Sequence, residues 1–234
     1  CFATSTDPLT LTASGTGGLE AAIVNTLSPG DKVLSVITGA FGQRFAEIAE
    51  TYGADVERIE VPWGQAADPA LVEAKLAGGG YKALLCTLNE TSTGVVNPVQ
   101  AMAAAAKAAG ALVLVDAISG LLATPCETDA WGLDVVVAGS QKAFMIPPGL
   151  CFVTMSEAAW EATKTAKMPR FYFDLPAARK TLAKGENPWT PAVSLLYGLR
   201  ESLDMIAEEG LTNVFARHLR LRNGVRAGAA VLGF

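Results

Sequence analysis

The chain has 234 residues, half of them hydrophobic and 18% charged, enough for one large domain with part of a second and too apolar for a disordered chain. A formal charge of -5 and a pI near 5.0 argue against a nucleic-acid-binding surface. The most apolar stretches are broken by Lys107 and Asp116, so none reaches the uninterrupted length of a membrane span.

Short β-type runs alternate with helical patterns. Residues 9–13 read as the end of a strand, followed by the loop Ser14-Gly15-Thr16-Gly17-Gly18 and a helix with Leu19, Ile23 and Leu27 on one face. Ser28-Pro29-Gly30-Asp31 turns into a strand over 32–37. A second helix carries Phe45, Ile48 and Tyr52 and stops at Gly53, a left-handed cap. Residues 56–61 are extended, and Asp68-Pro69 then pairs an N-cap with proline at the first helical position. Strands over 82–88 and 111–115 flank an alanine-rich helix ending at Gly110. Strands over 133–138 and 150–155 flank a turn over 139–149. Beyond Ser156 the pattern is mostly helical, with a long helix expected over 191–209 and Leu195, Leu199, Leu203 and Ile206 facing inward. Arg217, Arg220, Arg222 and Arg226 follow at helical spacing and read as a solvated face, with His218, the only histidine, at the surface.

Strands this uniformly apolar are buried on both faces, with helices as crossovers; the expected architecture is a three-layer α/β domain. Cys1, Cys86, Cys126 and Cys151 form no CxxC pair, and Cys86 and Cys151 fall in apolar runs where a buried free thiol is expected. That usage fits a reducing, cytoplasmic setting. The chain opens on Cys1 and stops inside the apolar run 229–234, so it reads as a fragment, and a targeting segment outside it stays open.

Three segments carry chemistry. The Ser14–Gly18 loop joins strand to helix, where glycines let backbone N–H groups approach an anion and the helix N-terminus favours negative charge. A dinucleotide fingerprint would need glycine where Glu20 stands, and a P-loop would need a GK[ST] run that the chain lacks. A lone phosphate monoester is the better anion. Asp116 closes the run Leu112-Val113-Leu114-Val115 at the end of a buried strand, where open α/β sheets bind ligands; taken alone it reads as a helix cap or turn residue. Lys142, in Gly139-Ser140-Gln141-Lys142-Ala143-Phe144, sits in an apolar turn at the next strand end. Such a setting lowers a lysine's pKa and suits imine formation with an aldehyde. A phosphate cradle, an acid and an amine in this order match pyridoxal 5'-phosphate (PLP), whose phosphate needs a helix terminus, whose ring nitrogen needs a carboxylate and whose C4′ needs an amine.

The runs Val115-Asp116-Ala117-Ile118-Ser119 and Gly139-Ser140-Gln141-Lys142 resemble class V PLP-dependent aminotransferases, notably the alanine/serine–glyoxylate aminotransferases. Gly39-Ala40-Phe41-Gly42-Gln43-Arg44, Asn89-Glu90-Thr91-Ser92-Thr93-Gly94, Pro147-Pro148-Gly149 and Leu199-Arg200-Glu201-Ser202-Leu203 extend the likeness over nearly the whole chain. The resemblance implies the fold type I, aspartate-aminotransferase-like large domain over residues 1–190. Residues 191–234 would then be an interdomain helix and the start of a small C-terminal domain, most of it lacking. It implies that Lys142 is the Schiff-base lysine and the carrier of the α-proton, and that Asp116 pairs with the pyridinium nitrogen. By the same resemblance Phe41 would stack on one ring face and Ile118 pack on the other. Gly15, Thr16 and Gln141 resemble the phosphate binders, Thr16 standing where relatives vary, and Thr91 matches a position near the ring oxygen. Asn187 and Thr190 match positions that reach the phosphate of the partner subunit, with Asn187 where some relatives have tyrosine.

The implied reaction is ping-pong transamination from serine or alanine to glyoxylate or pyruvate, in a homodimer with active sites at the interface. The arginine that grips the substrate carboxylate belongs, in that family, to the C-terminal domain. Cysteine desulfurases and related class V lyases are the enzymatic alternative; they place a histidine over the ring, and His218 lies far along the chain. The non-enzymatic alternative is a catalytically silent binding subunit. Paucity of histidine also removes Ser-His-Asp catalysis and a histidine-rich metal site.

Overall fold

The computed structural model describes residues 1–233. In chain order the first half runs β1 (Leu9–Leu11), α1 (Gly15–Thr26), β2 (Lys32–Ile37), α2 (Ala40–Thr51), β3 (Asp55–Glu60), α3 (Pro69–Leu76), β4 (Ala83–Thr87) and the short pair β5 (Asn89–Glu90) and β6 (Val95–Val96). The second half runs α4 (Val99–Ala108), β7 (Leu112–Asp116), β8 (Val135–Gly139), β9 (Cys151–Met155), α5 (Glu157–Thr163), α6 (Leu175–Leu182), α7 (Val193–Glu209) and α8 (Leu211–Val231). Local signals explain many of the boundaries. The Asp68 carboxylate accepts the Ala70 amide at 2.9 Å with Pro69 opening α3. Gly53 adopts φ +91 after α2, a conformation costly for any residue with a Cβ.

Among the described residues, seven strands form one sheet in the order β1-β9-β8-β7-β4-β2-β3. Its central strands are parallel, while β9 runs antiparallel to both β8 and β1. The reversal is a departure from uniform helical crossovers. The link from β8 to β9 contains no helix, so the chain can only fold back on itself. Strands β4, β7, β8 and β9 are buried at every position. Alternate residues feed two cores. One holds Leu84, Val113, Val115 and Val136 with Met102 and Ala106 of α4. The other holds Leu85, Leu114, Val135 and Val137 with Leu19 and Ile23 of α1 and Phe45 of α2. The sheet is thus the middle of three layers, as the apolar runs imply.

Two expectations about the later helices need correction. In α7, Ile206 is buried, but Leu203 is exposed and Ser202 is buried in its stead, its hydroxyl donating to the Phe144 carbonyl. A polar residue took the inward position because it satisfies a carbonyl of the turn after β8, a pairing that hydrophobic periodicity cannot show. His218 is not a solvated surface residue. It is half-buried in a cleft of about 410 Å³ with Asn89, Ser119, Phe215, Leu219 and Arg222, and burial, with Arg217 nearby, pushes its pKa down. The Arg217 face is also partly paired, through Glu209 at 2.7 Å.

Candidate active site

Strands β1, β2, β4, β7 and β8 share one direction, so their carboxyl ends lie along one rim. Gly15 and Thr16 follow β1, Phe41 follows β2, Thr91 follows β4, Asp116 and Ile118 end β7, and Gln141 and Lys142 follow β8. That rim is where open α/β sheets present ligand sites.

Asp116 is 3% exposed and lies opposite Thr87 of β4 and Val137 of β8. Its Oδ1 accepts the Ile118 amide at 2.9 Å, the only hydrogen bond to the carboxylate among the described residues. Burial pushes its pKa up to about 7. The Ile118 hydrogen bond works against the shift, the Glu90 charge adds to it, and the charges of Arg44 and Lys142 oppose it. A desolvated carboxylate with one oxygen unpartnered is suited to a cationic N–H donor.

Lys142 is half-buried, and its Nζ makes no hydrogen bond or ion pair among the described residues. The turn that carries it is pinned from within. The Ser140 hydroxyl, fully buried, donates to the Pro147 carbonyl at 2.8 Å and accepts the Leu150 amide at 3.2 Å. Met145 adopts a left-handed φ of 61 three residues after Lys142, and its amide closes on the Lys142 carbonyl at 2.9 Å. An amine without a partner, on a turn held this firmly, is available to a carbonyl carbon.

At the head of α1 the Ser14 side chain caps Gly17, leaving the Gly15 and Thr16 amides without an acceptor among the described residues. A Cβ on Gly15 would lie 2.6 Å from Ile118 Cδ1, and one on Gly139 would lie 3.1 Å from Gln141 Oε1 and 3.3 Å from Ile118 Cγ2. Gly15, Ile118, Gly139 and Gln141 therefore converge on a cradle that extra side-chain carbon would fill. Thr16 accepts from Arg44 Nη1 at 3.4 Å, and the Arg44 guanidinium lies 4.9 Å from the Phe41 ring centre. Thr91 bonds the Ser119 hydroxyl at 2.8 Å rather than its own backbone.

Asn187 and Thr190 are not part of this group. Both are exposed, beside Thr10, Leu11, Thr12 and Tyr172 near the β1 edge, and no hydrogen bond joins them to the cradle, Asp116 or Lys142 among the described residues. Three neighbours were not singled out from sequence: Glu90, Arg44 and Ser119. All three stand inside motifs already noticed, but their roles depend on partners 28 to 49 positions away.

A buried acid, an unpaired amine and an anion cradle on one rim match the donor set that PLP requires. The model of the class V aminotransferases matches residues 2–228. The chain belongs to the class V aminotransferase family. Among curated relatives of this class V chain, an L-aspartate–glyoxylate aminotransferase of Paracoccus denitrificans is 43% identical over 94% of the chain and 57% of its own length. A protein named soluble hydrogenase, small subunit, from a Synechococcus species is 48% identical over 98% of the chain and 61% of its own length. The crystal structure of an alanine–glyoxylate aminotransferase from a Nostoc species superposes with a TM-score of 0.89 at 34% identity, covering 93% of the chain and 59% of that structure. The class V chain spans about three fifths of the length of the curated relatives it matches. Its three-layer α/β architecture is the fold shared with that aminotransferase structure.

Proposed function

We propose that the protein is a PLP-dependent aminotransferase that moves an amino group from a small amino acid, serine or alanine, to a small 2-oxo acid, glyoxylate or pyruvate. The observation that carries this reading is the pairing of buried, singly bonded Asp116 with unpaired Lys142 at neighbouring strand ends. The glyoxylate-dependent names of relatives such as the Paracoccus and Nostoc enzymes support the substrate class. The hydrogenase name of the Synechococcus protein finds no counterpart in this constellation.

When bound, PLP supplies an electron-poor ring that takes up the electron pair left when the substrate loses its α-proton. The chain's own residues do the rest. The Gly15 and Thr16 amides at the positive end of α1, with Gln141, hold the phosphate oxygens. Phe41 covers one face of the ring and Ile118 the other, both excluding water. The Asp116 carboxylate accepts the ring N–H and keeps that nitrogen protonated, and Thr91 stands by the ring oxygen. Lys142 Nζ is the amine at the aldehyde carbon. As the unpaired amine on this rim, it would also serve as the base that takes the substrate's α-proton and the acid that returns it. In this reading residues 1–190 are the PLP-binding domain and residues 191–234 lead into a smaller one. Asn187 and Thr190, exposed near the β1 edge, serve the partner's site in a homodimer. The free cysteines suit the cytoplasm.

The test is the visible spectrum of the whole purified protein with PLP, with and without L-serine, L-alanine or L-cysteine, beside Lys142→Ala. A cofactor band that bleaches with serine or alanine and yields an oxo acid is expected, as is loss of borohydride-trapped cofactor in Lys142→Ala. Sulfide from cysteine would move the assignment to a lyase. Absence of any band would refute the proposal and favour a silent binding subunit.

A further inference from the structure

The first turn of α2 has no cap of its own. Its N-cap is Gly39, which offers no side chain, yet Phe41 depends on how that turn is held. The missing acceptor comes from Glu90, at the end of the short strand β5 and fully buried. Its Oε2 accepts the Gly42 amide at 3.0 Å and the Phe41 amide at 3.2 Å. Its Oε1 accepts the Ser92 amide at 3.1 Å and the Ser92 hydroxyl at 2.6 Å. The Ser92 oxygen in turn accepts the Ala40 amide at 2.9 Å. Three consecutive amides of α2 are thus satisfied from a segment about fifty residues away.

We propose that Glu90 is a positioning residue for the cofactor site, holding Phe41 where it covers the PLP ring; this rests on the aminotransferase reading given above. Three observations favour that role over plain helix capping. A Cβ on Gly39 would come within 2.6 Å of Glu90 Cγ, so the glycine makes room for this acid where a local Ser or Asp cap would ordinarily stand. Every group around the carboxylate is a donor, a task for an acceptor-only side chain; a glutamine would turn its own N–H toward one of them. The residues that follow Glu90 reach the opposite side of the site. Thr91 bonds Ser119, next to Ile118, while Ser92 bonds α2. One segment therefore sets the elements that carry both ring-facing residues. The placement is also costly for a mere cap, because it puts a second buried negative charge near Asp116.

Charge gives a second readout, while non-additivity with Phe41 is the one that a structural cap would not move. Asp116 is faced by Glu90 from β5, Arg44 from α2 and Lys142 from the turn after β8, with the Ile118 amide on its Oδ1. Removing the Glu90 charge lets Asp116 ionise at lower pH, so the acid limb of PLP binding shifts downward.

The experiment measures PLP affinity by absorbance and borohydride trapping from pH 5.5 to 9 in the whole protein, for Glu90→Gln, Phe41→Leu and the double variant. Glu90→Gln is expected to weaken PLP binding about 10- to 100-fold, the scale of losing hydrogen bonds to a charged group, and to move the acid limb to lower pH. Because Glu90 acts through Phe41, the double variant should fall well short of the product of the two single losses. Fully multiplicative losses, or wild-type affinity and pH profile in Glu90→Gln, would overturn the inference while leaving the aminotransferase reading intact. Absence of PLP binding in the wild-type protein would overturn both. If Glu90→Gln does not fold, Ser92→Ala cuts the Ala40–Ser92–Glu90 chain and must show the same non-additivity with Phe41→Leu, with a several-fold loss; additive behaviour there counts against the inference equally.

Discussion

Asp116→Asn should stabilise the protein without its cofactor and disable it with one. Burial, reinforced by Glu90, raises the Asp116 carboxyl from its ordinary 3.8 to about 7. The sign follows from linkage. Between these values the unfolded chain has already lost the proton that the folded chain keeps, so stability falls as pH rises from about 4 to about 7 and is level above. A rise of this size corresponds to roughly 4 kcal/mol at about 1.4 kcal/mol per tenfold change. Asparagine removes that penalty but leaves a buried N–H₂ without an acceptor, at about 1–3 kcal/mol, so the net gain at pH 8 is about 1–3 kcal/mol. For a chain of this length that is about 2–12 °C in Tm. Thermal unfolding of PLP-free wild-type and Asp116→Asn protein from pH 4 to 8 measures it, and the gain should shrink as pH falls and reverse toward pH 4, where only the cost of the unpaired amide remains. Added PLP should then raise the wild-type Tm more than that of the variant, because only a carboxylate offers its charge to the ring nitrogen. A destabilised variant at pH 8, or a gain independent of pH, would refute the view of Asp116 as a desolvated acid held ready for a cation.

Gly15→Ala should weaken PLP binding by about tenfold or more at a cost of about 1–2 kcal/mol in stability. The new methyl meets Ile118 Cδ1 at 2.6 Å and displaces that side chain; Ile118→Ala should relieve the clash and restore the stability but only part of the affinity, because it also uncovers a ring face, and thermal unfolding with PLP titration of the single and double variants decides it. In native protein at pH 8, Ellman's reagent should find one fast thiol, Cys1. Burial raises Cys86 and Cys151 to about 12 and Cys126 to about 11, and these three should react only after unfolding; a second fast thiol would show that a buried one is reachable.

The order of strands and helices was legible because the parallel strands are apolar at nearly every position and the breaks between them are chemical. Gly53, Asp68-Pro69 and Gly110 mark boundaries that the backbone respects. Asp116 and Lys142 could be picked out because each is a charged residue directly behind a buried strand, where a solvated role is unavailable. The reversal at β9 was less legible: an eleven-residue link, Ser140–Leu150, holds neither a hairpin signal nor a helix, and its shape depends on the buried Ser140 hydroxyl. Leu203 and Ser202 exchanged their expected places for the same kind of reason, since one carbonyl of that link needed a donor.

Residues whose function is to hold other residues leave the weakest mark in a sequence. Glu90 stands in a polar run that reads as a loop, and Gly39 reads as an ordinary turn glycine. Only their approach shows that the glycine is small because the acid is there. Arg44 likewise reads as one more exposed charge on α2 until Thr16 and Phe41 are found on either side of it. Each case joins segments that follow different strands, Glu90 reaching α2 from β5 and Arg44 reaching Thr16 of α1 from α2, and those partners are 28 to 49 positions apart. The rim of a parallel sheet collects such pairs because every strand delivers its next few residues to the same edge. The chemistry of the site can therefore be read strand by strand, whereas its rigidity is written between strands and emerges only when the sheet is assembled.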